Sequence, residues 1–369
     1  MVLALDSDVL AALETSGTSV YRASAYYGSE QTLAEVPLFG QGSISFDGSA
    51  AVESSGTLYL GDSGTDYTPR NQQDTFAPFG QEIALWRSLQ NVGSAPGIPL
   101  GRFRITEVPD MEEYFHRYPS QRDAGWSLQL TVRDRMDILQ NDDFTAPTST
   151  VAGPSTWTEI QRLMPQGLGL RTSLVDTAVP AGITYTSMSD AITKLMANLN
   201  GVPHMTRDGL LTARARDRWL TATTPEFEVN GTVAISDTMT NKLYNCVVVT
   251  NPNDPKILGI KMIDEPAHPL YVRGPFGRRP YKLADPLMTT QAMADAAAAT
   301  SLARVSTQQA HTVTFSCLPR PDLEIGDFGD VIDEVSDKTY RGEIATMQFS
   351  LDPTDLMSGT MTVAEVITP

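Results

Sequence analysis

Two cysteines, four histidines and six lysines in 369 residues set the first limits on this chain. Cys246 and Cys317 each sit among apolar neighbours, and no CxxC pair exists, so neither a disulfide framework nor a cysteine zinc site is expected; both read as small buried side chains. His116, His204, His268 and His311 lie in unrelated contexts without HxxxH or HExxH spacing, which leaves no metal site to predict. His204 and His268 read as surface residues and His311 as a partly buried strand residue. No stretch approaches the ~18 apolar residues of a membrane span. The opening MVLALDSDVLAAL lacks a basic leader and acquires Asp6 and Asp8 early, so no export signal and no membrane insertion are expected.

Positive charge is also scarce. Lys and Arg number 27 against 44 Asp and Glu, a formal net charge of −17, which argues against a protein that grips phosphate backbones. The one place where arginines and aromatics interleave is Tyr271 to Tyr281 (YVRGPFGRRPY), which reads as an exposed loop for contact with protein. Phosphate loops are absent as well: there is no GxxxxGK[ST], and Gly40-Gln41-Gly42 leads into a strand.

What the chain has is turns and short alternating runs. With 27 Gly, 24 Pro and 41% hydrophobic residues, it belongs to the globular class, and its length predicts two or more domains. Leu3, Val9, Leu10 and Leu13 share a helical face, predicting a leading helix or arm over residues 1–17. From 18 to 145, runs such as SVYRASAYY, GTLYLGD, EIALWRSL and WSLQLTVRD alternate between turns, predicting an antiparallel β-barrel or sandwich. Residues 146–225 predict an α+β unit. Ser155 or Thr156 caps one helix there, and Ser187 or Ser189 caps a second whose stripe is Ile192, Leu195, Met196 and Leu199. Arg207-Asp208-Gly209 then turns a hairpin. Residues 226–251 and 309–369 predict a second β-barrel, and 252–308 an inserted irregular and helical domain with an Ala-rich helix capped at Thr289 or Thr290. The runs 78–89 and 327–337 each lead into a terminal strand pair, so the two barrels read as related in plan. The fold class is mainly β with α+β insertions.

Enzymatic signals fail on inspection. Gly61-Asp62-Ser63-Gly64 copies the residues around a serine protease nucleophile, but the first histidine, His116, comes 53 residues after Ser63, and Thr65 stands where that motif has a second glycine. The segment reads as a polar turn. Asp322, Glu324, Asp327 and Asp330 supply hard oxygens for calcium without the register of a calcium loop. No catalytic, cofactor-binding or metal residue is predicted, and the chain is not expected to be an enzyme.

The segments SISFDGSAAVESSGTLYLGD, DTFAPFGQEIALWRSL and IPLGRFRITEV, followed by the helix TTQAMADAAAATSLARV and the run HTVTFSCLPRPDLEIGDFGDVI, resemble in order and character the tail hub, or baseplate hub, proteins of long-tailed bacteriophages. Within that group the chain resembles the minor tail proteins of the actinobacteriophage siphophage type. The resemblance covers nearly the whole chain. It implies a homotrimer with two related β-barrels per chain and two decorations between them. It implies a virion tail-tip position after assembly in the host cytoplasm. The implied partners are the distal tail ring, the C-terminus of the tape-measure protein and tip or fibre proteins, around a channel that DNA passes through without specific binding. The chain stops at Pro369 after its last predicted strand, so lytic or receptor-binding activity would belong to another protein. The alternative from the residues alone is a carbohydrate-binding β-protein, suggested by Trp86, Trp126, Trp157 and Trp219.

Overall fold

The structure is a computed structural model. It describes residues 5, 9, 13, 19–62, 65–89, 97–118, 121–146, 148–151, 155–179, 182–216, 218–220, 222, 224–307 and 311–368. Seven strands come first: β1 (Ser19–Tyr27), β2 (Glu30–Leu33), β3 (Leu38–Asp47), β4 (Ser54–Asp62), β5 (Gln81–Leu89), β6 (Ile98–Tyr118) and β7 (Gln121–Asp134). They form because apolar residues alternate with polar ones: on β7, Trp126, Leu128, Leu130 and Val132 all point inward. On β4, Leu58 and Leu60 do the same, and both rows meet Ile83, Leu85 and Phe103 in one core. Of the predicted leading helix, Leu5, Val9 and Leu13 are described; Val9 and Leu13 are helical and bury against Ile98, with Leu5 packed beside them.

A compact α+β segment follows: α1 (Met136–Asn141), β8 (Thr148–Ser149), α2 (Thr156–Leu163), β9 (Gly169–Leu170), β10 (Thr184–Tyr185), α3 (Met188–Asn198), β11 (Gly201–Met205) and β12 (Leu210–Ala215). Ser155 caps α2 by accepting the Thr158 N–H at 3.2 Å, and Ser187 caps α3 by accepting the Asp190 N–H at the same distance. The stripe Ile192, Leu195, Met196 and Leu199 is buried as its spacing predicts, against Trp157, Ile160 and Leu211. β11 and β12 form the hairpin expected around Arg207-Asp208-Gly209.

The last third supplies β13 (Glu228–Val229), β14 (Ala234–Met239), β15 (Cys246–Asn251), β16 (Asp254–Met262), β17 (Pro280–Ala284), α4 (Gln291–Thr307), β18 (His311–Cys317), β19 (Phe328–Asp333), β20 (Lys338–Ser350) and β21 (Met357–Ile367). Thr290 is the cap of α4: its Oγ1 accepts the Met293 N–H at 3.2 Å. Residues 246–251 were expected in the second β unit. They pair instead with β16, antiparallel, and with β17, parallel, in a separate three-stranded sheet that α4 covers. The stretch read as irregular supplies the two partner strands. Gly259 of β16 is required by this packing, because a Cβ there would sit 2.2 Å from the Ala294 carbonyl oxygen of α4.

Both outer β regions belong to one 13-stranded sheet, ordered β14-β18-β21-β20-β3-β4-β7-β6-β5-β1-β2, with β19 also on β20 and β13 on β19. Two closed barrels were the expectation. The ladder is instead an open path ending at β2 and β14. Between β1 and β3 the contact is not a ladder: Val36 N–H donates to Ala23 O at 2.8 Å, and Ser24 Oγ donates to Ala34 O at 2.6 Å. Pro37, next in the chain, has no N–H to extend the pairing. The two halves join through β20 and β3, paired from Thr346↔Asp47 to Ser350↔Ser43. Over that seam Phe46 meets Phe349 edge-on at 5.9 Å and touches both cores.

Phe349 is buried beneath this seam, so Phe349→Ala is expected to lower unfolding free energy by about 3–5 kcal/mol. Val335→Ala, at an almost wholly exposed turn, is expected to change it by less than about 0.5 kcal/mol. Chemical denaturation followed by fluorescence compares the two.

Candidate functional site

A buried polar grouping lies where the β11–β12 hairpin wedges between the two halves of the large sheet. At its turn, the Arg207 guanidinium donates to the carbonyls of Pro99, at 2.9 Å, Pro321 and Leu323, and to Glu324 Oε1 at 3.2 Å. One side chain of the α+β segment thereby holds β6 of the first half and the 321–324 loop of the second. Burial pushes the Arg207 pKa down, and the carboxylates of Glu324, Asp322 and Asp327 oppose that shift.

A second arginine holds the same hairpin from the other side. Arg135 donates to Glu82 Oε1 at 3.0 Å, to Gly209 O at 2.7 Å and to Gly167 O at 2.7 Å, and Glu82 also pairs with Arg102. Gly326 completes the fit. Its φ of +78° and the Arg214 guanidinium, which occupies the place a Cβ would take, both require glycine there.

On β11, His204 was read as a surface residue, but it is mostly buried and its Nδ1 donates to Glu53 Oε2 at 2.7 Å. Desolvation works against the imidazolium, yet Glu53, and Glu324 further off, outweigh it together with Arg214's repulsion, so the His204 pKa is raised. Next to Glu53, Asp134 accepts Ser54 N–H at 2.6 Å, Ser54 Oγ–H at 2.9 Å and Met136 N–H at 2.8 Å. Its burial outweighs those bonds and raises its pKa to about 6.

The cluster holds the hairpin to both halves of the large sheet. The enclosed cavity beside His204, Glu53, Leu323 and Met347 measures about 20 Å³, room for roughly one water and far below the roughly 300–1,000 Å³ of ligand pockets. Ser54 spends its hydroxyl proton on Asp134, so it is not held as a nucleophile for His204.

The other residues singled out by sequence are dispersed. Ser63 and Gly64, and the side chains of Asp62 and His116, lie outside the described residues. His268 is exposed, with its Nδ1 accepting Leu270 N–H, and half-buried His311 pairs with Asp237 at 3.1 Å. The four acids considered for calcium are committed separately: Asp322 to Arg320, Asp330 to Arg341, Glu324 to Arg207, and Asp327 Oδ2 to the Glu324 N–H. Among the described residues no three His, Cys, Asp or Glu side chains group as metal ligands. Cys246 and Cys317 are both free and buried. Trp126, Trp157 and Trp219 are buried, and Trp86 is half-buried on β5. In the 271–281 loop, Arg279 stacks on Phe276 at 4.4 Å, while Arg273 and Arg278 are exposed.

No protein-family model matches the chain, and no curated protein matches its sequence. Solved structures do match its fold. A tail protein from Neisseria meningitidis MC58 aligns with a TM-score of 0.60 at 14% identity, over 94% of this chain and 97% of that one. The 43 kDa tail protein of prophage MuSo2 from Shewanella oneidensis aligns with a TM-score of 0.55 at 12% identity, over 94% and 98%. The prophage tail protein gp18 from Listeria monocytogenes EGD-e aligns with a TM-score of 0.50 at 11% identity, over 92% and 94%. The chain shares the fold of these tail proteins over more than nine-tenths of its length.

Arg207→Ala is expected to lower stability by about 3–5 kcal/mol, because it strips three carbonyls and Glu324 of a buried partner. The His204–Glu53 pair contributes fully below the ordinary histidine value of about 6.5 and fades as pH rises through the raised folded value. Unfolding free energy measured from about pH 6 to 9 should therefore fall, and His204→Gln should remove that slope.

Proposed function

We propose that this chain is a structural subunit of a bacteriophage tail, a trimeric hub at the tail tip that joins the distal tail ring to tape-measure and tip or fibre proteins. The observation that carries the reading is the match of nearly the entire chain, both β regions and both insertions, to tail proteins of similar length. In this reading the β units comprise residues 18–145 and 226–245 with 309–369, related in plan, and the segments 146–225 and 246–308 decorate them. A siphophage of actinobacteria is the proposed source, in keeping with six lysines against 21 arginines. Assembly takes place in the host cytoplasm and the finished position is the virion tail tip.

The role is mechanical. A hub must transmit load between rings without shearing, and a sheet continuous across β20 and β3, locked by Arg207 and Arg135, suits that task. Three copies carry a formal −51, and acidic groups along a channel let DNA slide without sticking. A carbohydrate-binding role is the weaker reading, because Trp126, Trp157 and Trp219 point into cores and offer no stacking platform.

Sedimentation equilibrium of the purified chain, alone and with the candidate distal tail protein, is expected to give a trimer, with rings in negative-stain images. A strict monomer under every condition overturns the hub.

A further inference from the structure

The three-stranded sheet β16-β15-β17 is apolar on both faces. Val247 and Val249 of β15, with Tyr281 and Leu283 of β17, pack under Ala294 and Ala298 of α4. The opposite face should be polar if water covered it, since a one-sided antiparallel sheet alternates apolar inward and polar outward. On β16 that face instead carries Leu258, Ile260 and Met262, exposed at 42%, 47% and 36%. Half-buried Val248 and exposed Pro280 and Ala284 continue it across the sheet. Lys256 and Lys282 are the basic residues on it, both exposed.

The charge of this region is opposite to that of the rest of the chain. Residues 242–284 hold seven Lys and Arg against three Asp and Glu, a net +4, which leaves −21 on the remainder. An apolar face with a basic rim fits an acidic partner that also presents apolar side chains. Such a surface occurs on the chain itself. On β6, exposed Glu107 and Met111 border, with exposed Phe79, a groove also lined by Pro69, Val108 and Arg70, whose charge is met by Asp66 at 2.9 Å; exposed Asp110 lies on the same strand just outside the groove.

We infer that the open face of the β16-β15-β17 sheet docks on the Glu107–Met111 strip of a second copy of this chain, and that this contact closes the ring. The inference rests on the hub reading and names the surface that assembles it. Because the two surfaces differ, the contact is head-to-tail, the kind that repeats around a cyclic axis. The bulk of each copy is acidic and repels its neighbours, so a local basic face gives association a direction as well as a driving force.

The test is sedimentation velocity on the full chain at low and high salt, comparing wild type with Ile260→Asp and with the double variant Lys256→Glu/Lys282→Glu. The lysine positions are exposed on β-strands, so the double variant should keep its fold and circular dichroism even if Ile260→Asp does not. Both changes are expected to weaken self-association by about tenfold or more, and salt should weaken the wild type. Carbodiimide, which joins amines to carboxylates in contact, should link Lys256 or Lys282 of one copy to Glu107 or Asp110 of another. Wild-type assembly that both variants leave intact overturns this interface while the hub stands. Cross-links from the two lysines to a different tail protein, with self-assembly unchanged, also overturn it. A wild type that never assembles overturns both.

Discussion

A guanidinium keeps its charge at any pH a protein meets, so burying one fixes where acceptors must be. Arg207 is buried at the tip of a hairpin, and its donors are satisfied by the carbonyls of Pro99, Pro321 and Leu323 and by Glu324. Those acceptors come from two regions more than 200 residues apart in sequence. Their convergence forces the first β region, the α+β segment and the 321–324 loop to be built around one point. The neighbouring features follow from it: Arg135 gathers the Gly209 and Gly167 carbonyls, Gly326 gives way to Arg214, and His204 reaches Glu53. A half-satisfied network of this kind would be worse than an apolar core, so its partners must all be met together.

With the hairpin locked, the seam between β20 and β3 is held from the side as well as along its ladder. Five residue pairs and the Phe46–Phe349 contact alone would make a weak hinge between two freely moving halves. Clamped from the side by Arg207, the same seam becomes part of one body, because bending it requires pulling a charged group from its carbonyls. The cavity at the joint holds roughly one water, and its polar groups are bonded to one another and to the backbone around it.

Local features were legible in the sequence and distant ones were not. The stripe from Ile192 to Leu199, its Ser187 cap and the turn at Arg207-Asp208-Gly209 each depend on residues within one or two helical turns or one hairpin, so spacing alone reveals them. His204 looked like a surface residue because its partner Glu53 lies 151 positions away. Arg207 read only as a turn residue for the same reason. The assignment of β15 failed differently: its run CVVVTN is a strand as expected, but its partners sit in a Pro-rich stretch where turn residues hide short strands. Barrel closure depends on which edges meet, and alternation within a strand carries no information about that. Pro37 was the one local sign that pairing between β1 and β3 would stop short of a ladder.

The unequal spread of charge is a consequence of the same division of labour. A surface at −17 keeps copies apart and keeps polyanions from adhering, but it also opposes assembly. Neutralising the whole chain would give up the first property to gain the second. In the proposed assembly, placing seven of the 27 basic residues between 242 and 284, on and around a sheet whose outer face is already apolar, confines attraction to one patch. The patch sits on the element least involved in the large sheet, so its composition is free of the constraints that the Arg207 joint places on the rest. If the patch binds a neighbour as proposed, rigidity and recognition rest on different residues, since none of β15, β16 and β17 belongs to the large sheet.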